Sequence, residues 1–178
     1  MNSGWRYKYI AKSAANASKR FISVSDINSQ EADFNVTIAI TKTNEELSIY
    51  VSVKNRTNTM GGQDWPKAIR ALEDVAKSDK NRFGTYLCVF GIAMEKGQRN
   101  INCEQKTGSP YSVNTEVWQS DFFWPFFANY TYEEIIKVVL SVLIAGEEQD
   151  EVEIDIPQKL IIVAANNTTN IKKQVKKK

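Results

Sequence analysis

Two neighbouring stretches of the chain alternate apolar and polar residues with a period of two, the pattern of half-buried β-strands. In Asp33 to Thr41, Phe34, Val36, Ile38 and Ile40 share one face while Asp33, Asn35 and Thr37 share the other. In Glu46 to Lys54, Leu47, Ile49, Val51 and Val53 face one way, and Ser48, Tyr50, Ser52 and Lys54 the other. The short polar turn Thr43-Asn44-Glu45 between them predicts an antiparallel hairpin. Upstream, the alanine-rich stretch from Trp5 to Arg20, with Tyr9, Ile10, Ala14 and Ala17 as apolar groups, predicts a helix. It opens with no clear cap, which leaves room for a longer protein. Phe21 to Ile27 mixes apolar residues with serine and predicts a short first strand.

Beyond the hairpin, Asn55 to Gly62 is a polar loop ending in the Gly61-Gly62 pair. A helix is expected from about Asp64 to Lys77, with Pro66 in its first turn, where a missing N–H costs little. Trp65, Ile69, Leu72, Val75 and Ala76 form its apolar stripe. The nearly continuous apolar run Thr85 to Ala93 predicts a central strand covered on both faces. Glu95 to Val113 is expected as a long polar loop, and Tyr132 to Ile144 as a helix. Trp118 and the block Phe122, Phe123, Trp124, Phe126 and Phe127 are expected to pack beneath that helix, with base stacking or a dimer surface as the other uses of such rings. Glu151 to Ile156 alternates and Leu160 to Ala165 is apolar; strand and short helix both remain open there. The order up to residue 93 is αβββαβ, an α/β fold with a mixed central sheet flanked by helices. One domain is expected, with its core at about 5–93, a C-terminal extension at about 94–165 and a basic tail at 166–178.

Composition narrows the chemistry. With 178 residues, 42 % of them apolar and 25 % charged, the chain can bury a real core. A net charge of +2 does not by itself argue for nucleic acid. The terminal lysines (Lys172, Lys173, Lys176, Lys177 and Lys178) form a solvated tail by default and a phosphate-tracking arm in the alternative. Two cysteines, Cys88 and Cys103, suggest free thiols and no disulfide framework. No stretch has the apolar length of a membrane span and the N-terminus lacks a signal-peptide run, so a cytoplasmic protein is expected. There is no histidine. That excludes Ser-His-Asp and Cys-His hydrolysis and histidine-ligated zinc, leaving carboxylates, lysine and a hard metal ion.

Hairpin pairing places an early position of one strand near a late position of the next, so Asp33 is expected opposite the 52–54 end. An acid, a lysine and backbone carbonyls at a sheet edge suit Mg²⁺, which takes oxygen ligands and keeps several waters. The ion would acidify a bound water and neutralise charge on a phosphate. Lys54 would orient that water as a point cation. Asp33 and Lys54 are also ordinary surface residues at strand ends, which is the competing account.

The αβββαβ order, with Ala32-Asp33 opening the second strand and Ser52-Val53-Lys54 ending the third, resembles the core of the PD-(D/E)xK nuclease superfamily. Eighteen residues separate Asp33 from Ser52, and the segment from Ser52 to Glu73 resembles the region after the motif in type II restriction endonucleases. The likeness spans residues 5–93. It implies a Mg²⁺-dependent, sequence-specific endonuclease for double-stranded DNA, acting as a homodimer, with Asp33 and the Val53 carbonyl as metal ligands. The sequence departs from the pattern at Ser52, where an acid is usual. Related Ser-x-Lys enzymes take the carboxylate from the following helix, which makes Glu73 the preferred replacement and Asp64, otherwise a helix N-cap, the second candidate. Glu31 is a further candidate through its nearness to Asp33. Gln63 is placed to face the site, or is simply a polar loop residue.

Asn55, Arg56, Lys67 and Arg70 cluster after the lysine, where a nuclease grips phosphates; ion pairs with Glu73 and Asp74 are the alternative for Lys67 and Arg70. Gly61-Gly62 permits a close approach to DNA or merely a tight turn. The loop residues Lys96, Arg99, Asn100, Asn102, Gln105 and Lys106 are of the types that read base edges. Two other readings stand beside restriction. A repair or junction-resolving nuclease of the same fold would prefer branched or damaged DNA. A nuclease-like DNA-binding domain without catalysis would follow from the missing acid at Ser52.

Overall fold

The computed structural model of the chain describes residues 4–40, 42–43, 45–57, 65–82, 84–100 and 112–145. They form a six-stranded mixed sheet with helices on both faces. The chain order is α1 (Gly4–Ala17), β1 (Ser23–Asp26), β2 (Phe34–Ile40), β3 (Glu45–Lys54), α2 (Trp65–Ser78) and β4 (Thr85–Ile92). Then follow β5 (Arg99–Asn100), β6 (Thr115–Trp118), α3 (Ser120–Ala128) and α4 (Tyr132–Ala145). Across the sheet the strands run β1-β2-β3-β4-β6-β5. The β1-β2-β3 meander is antiparallel, β3, β4 and β6 are parallel neighbours, and β5 returns antiparallel on the far edge. The αβββαβ order expected up to residue 93 is therefore present. Among the described residues no helix is long and apolar enough to cross a membrane.

The period-two pattern lays out the core. Phe34 and Val36 of β2 and Ile49, Val51 and Val53 of β3 face α1 and α3, where they meet Ala11, Ala15, Phe123, Trp124 and Phe127. The other face of β3 and β4 presents Tyr50, Cys88 and Phe90 to Ile69, Leu72 and Ala76 of α2. Fully burying such a side chain stabilises the fold by roughly 1.5–3 kcal/mol. The alternation is real, but the second face is not the solvated one that its polar residues suggested. Ser48, Tyr50 and Ser52 are almost wholly buried, because β3 lies between two strands and α2 crosses over that side.

Three expectations change at element ends. The first helix stops at Ala17, and Arg20, expected inside it, instead turns to the end of α3. Its guanidinium donates to Asn129 Oδ1 at 2.7 Å and to the Phe126 carbonyl, where α3 ends in a left-handed Asn129 with φ 60°. A cation on the last carbonyls of a helix suits both their lone pairs and the dipole. The expected long loop after residue 94 contributes β5, and the segment beyond it is no appendage: β6 pairs with β4. The aromatic block is itself a helix, α3, with Phe123, Trp124 and Phe127 buried. The indole N–H of Trp124 donates to the Ala93 carbonyl at 2.8 Å, satisfying its one polar atom inside the core. The stretches 151–156 and 160–165, Cys103 and the lysine tail lie outside the described residues.

Candidate functional site

Asp33 sits one residue before β2, at the point where the β2–β3 ladder runs out. The last paired residues are Phe34 and Val51, and the Asp33 N–H still donates to the Val51 carbonyl at 2.7 Å. Its side chain then takes over from the backbone. Asp33 Oδ2 accepts from the Val53 N–H at 2.7 Å, standing in for the next strand carbonyl. The hairpin has thus brought Asp33 to the 52–54 end, with Val53 as its direct contact. Because Val51 and Val53 both turn their peptide groups to the β2 side, the Val53 carbonyl leaves β3 on that same edge, just past the end of β2. Asp33 lines a cleft of about 280 Å³ with Lys8, Lys12, Asp26 and Asn28, and the Val53 carbonyl lies on the strand edge next to the amide that the Asp33 carboxylate holds. A magnesium ion needs one or two carboxylates and fills its remaining positions with water, so this donor set fits it. Among the described residues no cluster of three or more His, Cys, Asp or Glu forms a ready metal cage.

The charge beside Asp33 is a correction to the sequence reading. The ammonium of Lys8, on α1, stands 3.3 Å from Asp33 Oδ1. Lys54 follows Val53 in β3, so alternation sends it to the α2 side of the sheet, together with Ser52. Asp33 is free of the pleat because it precedes the strand, which lets its carboxylate lean toward α1. The two residues reach the same end of the hairpin from different faces. Glu31 does share the field of Lys54. Its carboxyl is held below the usual range, first by the Ser29 hydroxyl at 2.7 Å, then by local amides, with the Lys54 charge adding to this.

Glu73 is in a different place. It is 9 % exposed on α2, beneath the sheet at β6. Its carboxylate accepts from Thr115 Oγ1 at 2.8 Å, from the Ser112 hydroxyl, and from Lys77 at 3.4 Å. Thr115 lies in register with Cys88 and so with Tyr50, two residues before Ser52, and three strands across from β2. Strand spacing alone puts that ~14 Å from Asp33. The helix that follows the triplet therefore does not return this acid to Asp33. Ser52 is 2 % exposed, its hydroxyl buried on the α2 side of the sheet and away from the face on which Asp33 meets Lys8. Asp64 and Gln63 lie outside the described residues, as does Gly61-Gly62. Lys67 and Arg70 are exposed on α2, where Lys77, not they, pairs with Glu73 and Asp74. Asn55 is half-buried and Arg56 exposed.

Sequence reasoning missed two groups. Lys8 is one; the signal available was the one-turn spacing of Lys8 and Lys12 in a helix. Glu95 is the other. The β3–β4 pairing continues past the strands, with the Ala93 N–H on the Lys54 carbonyl at 2.8 Å and the Met94 N–H on Asn55 at 2.9 Å. Glu95 then accepts from the Thr57 N–H at 2.9 Å and the Thr57 hydroxyl at 2.7 Å. These bonds hold its carboxyl below the usual range, with the Arg56 charge contributing least. An acid directly after a central parallel strand is where ligands meet such sheets, and the apolar run before it was the signal. By contrast, the loop cations expected to read bases are engaged with acids. Arg99 holds Glu116 through two bonds of 2.5 Å, and Lys96 meets Glu133 at 3.1 Å. Asn100 lies in β5, while Asn102, Gln105 and Lys106 lie outside the described residues. No protein-family model matches the chain, and no significant match is found among curated proteins or solved structures.

Proposed function

We propose that the chain is a divalent-cation-dependent endonuclease for double-stranded DNA, of the restriction type, centred on Asp33, Val53 and Lys54. The observation that carries this reading is the Asp33 carboxylate bonded to the Val53 amide at 2.7 Å, which sets the acid directly on the Ser-Val-Lys triplet. Asp33 and the Val53 carbonyl would hold the cation, Mg²⁺ by choice of oxygen donors. When bound, the ion supplies positive charge against the phosphate and an acidified water. Lys54 leaves the same strand end on the α2 face, so its part in the reading is as a point cation for the DNA phosphate and not as a group beside the Asp33-held water. Glu31, two residues before Asp33, takes the place of Glu73 as the second acid in this proposal. Arg56, Lys67 and Arg70 are exposed at or after the triplet, where backbone phosphates would be met. A homodimer follows from the need to cut two strands.

A second reading has its own support. A nuclease-like DNA-binding domain without catalysis fits the burial of Ser52 and the engagement of Glu73 elsewhere. One experiment separates them: purified protein with Mg²⁺ or Mn²⁺ and long phage DNA, beside Asp33→Ala and Lys54→Ala. Discrete fragments from the parent, with a loss of about 100-fold or more in each variant, support the endonuclease. DNA retained in a gel shift but never cut, with either ion, supports the binding domain.

A further inference from the structure

The cleft beside Asp33 contains two lysines as well as two acids. Lys8 and Lys12 stand one turn apart on α1, and each meets an aspartate across the cleft, Lys8 with Asp33 at 3.3 Å and Lys12 with Asp26. The Lys8–Asp33 pair is open to solvent at its mouth, with the two side chains 36 % and 22 % exposed. Asp33 therefore already carries a counter-ion on Oδ1, the oxygen left over after Oδ2 takes the Val53 amide. A cation that takes Asp33 must compete with this ammonium. The contest favours the ion, since a partly exposed lysine pair is weak and a lysine stem is flexible.

We infer that Lys8 is an exchangeable counter-ion of Asp33: it neutralises the carboxylate in the cation-free protein and moves to a DNA phosphate once a divalent cation takes its place. This rests on the nuclease reading and deepens it. The carboxylate and ammonium cancel while paired, so the cleft mouth offers DNA no net charge. Placing a divalent ion on Asp33 makes the same spot cationic twice over, once through the ion and once through the released Lys8. Cation and DNA binding then reinforce one another, and by linkage the coupling is the same in either direction. Lys8 acts through Asp33 and the phosphate, so it is a positioning residue.

The test measures affinity, not cutting. A labelled DNA duplex carrying sites cut by the parent protein is titrated by fluorescence anisotropy with EDTA, and again with Ca²⁺. Mn²⁺ binding without DNA is read by electron paramagnetic resonance. The proteins are the full chain, Lys8→Met, Asp33→Asn and the double variant, each shown folded by its melting curve; Lys8→Gln serves if Lys8→Met does not fold. Asparagine keeps an acceptor for the Val53 amide while losing the charge that holds Lys8. Asp33→Asn is expected to bind DNA in EDTA roughly threefold to tenfold tighter than the parent. Adding Lys8→Met should remove that gain. Lys8→Met alone should bind Mn²⁺ more tightly by a similar factor. If the double variant keeps the gain, or Lys8→Met leaves Mn²⁺ affinity unchanged, Lys8 is not the exchanging group and the inference falls while the nuclease reading stands. If the parent binds neither Mn²⁺ nor DNA, both fall together.

Discussion

Glu73 and Cys88 show how much a single residue's role depends on what packs against it. Glu73 accepts from Thr115, Ser112 and Lys77 while nearly buried, so it ties α2 to the start of β6. Glu73→Ala leaves those donors facing a void and should lower stability by about 1–3 kcal/mol, read as a shift in the urea midpoint. If the proposed endonuclease activity holds, cleavage per folded molecule should be unchanged, and Glu73→Gln, which keeps an acceptor, should cost less stability. A Glu73→Gln protein that melts normally but cannot cut would return Glu73 to the site. The Cys88 thiol is fully buried in β4, and burial first, then the Glu73 charge, pushes its pKa up to about 12. In a Cys103→Ser background, native protein should therefore resist a thiol reagent that labels it stoichiometrically in denaturant. The apolar run around Cys88 revealed its burial in advance. Nothing near Glu73 in sequence revealed its two hydroxyl partners, since Ser112 and Thr115 lie about forty residues away.

At the scale of elements, β4 and α4 illustrate two kinds of local rule. Gly91 of β4 lies directly beneath the Phe123 ring of α3, and a Cβ there would collide with it. Gly91→Ala should therefore destabilise the protein by about 1–3 kcal/mol through overpacking, measurable as a lower melting temperature. Helix α4 begins with a reciprocal box. Thr131 Oγ1 accepts from the Glu134 N–H at 3.3 Å, and Glu134 Oε2 accepts from the Thr131 N–H at 2.6 Å. The Thr-x-x-Glu spacing is readable from the chain alone. Thr131→Ala should cost about 1 kcal/mol of stability. The α3 helix was harder to read. Pro125 and a run of bulky rings argue locally against a helix, and only packing against α1 and the sheet rewards placing Phe123, Trp124 and Phe127 on one buried side.

Across the whole molecule, carboxylates held low by hydrogen bonds contribute to the response to acid. Glu95 is depressed below its ordinary value of 4.5 by the Thr57 amide and hydroxyl, and Glu134 by the same two groups of Thr131. A depressed acid contributes stability that is fully present above its unfolded value and lost as pH falls through its folded one. The protein should thus keep its stability from neutrality to about pH 5 and lose it progressively below about pH 4.5. Urea titrations at pH 6 and pH 3 would show this, with a smaller acid loss in Glu95→Gln; an equal loss would remove Glu95 from the cause. The helix–hairpin–helix–strand order, the face each strand residue takes, and the meeting of Asp33 with the 52–54 end were all legible along the chain. These follow from period and turn length, which are local properties of the chain. Long-range packing set the rest: α2 buries Ser52, Glu73 serves β6, and the charge beside Asp33 comes from Lys8 and not Lys54. Those choices rest on which helix covers which face of the sheet, and the positions concerned are brought together only when distant elements close over a common core.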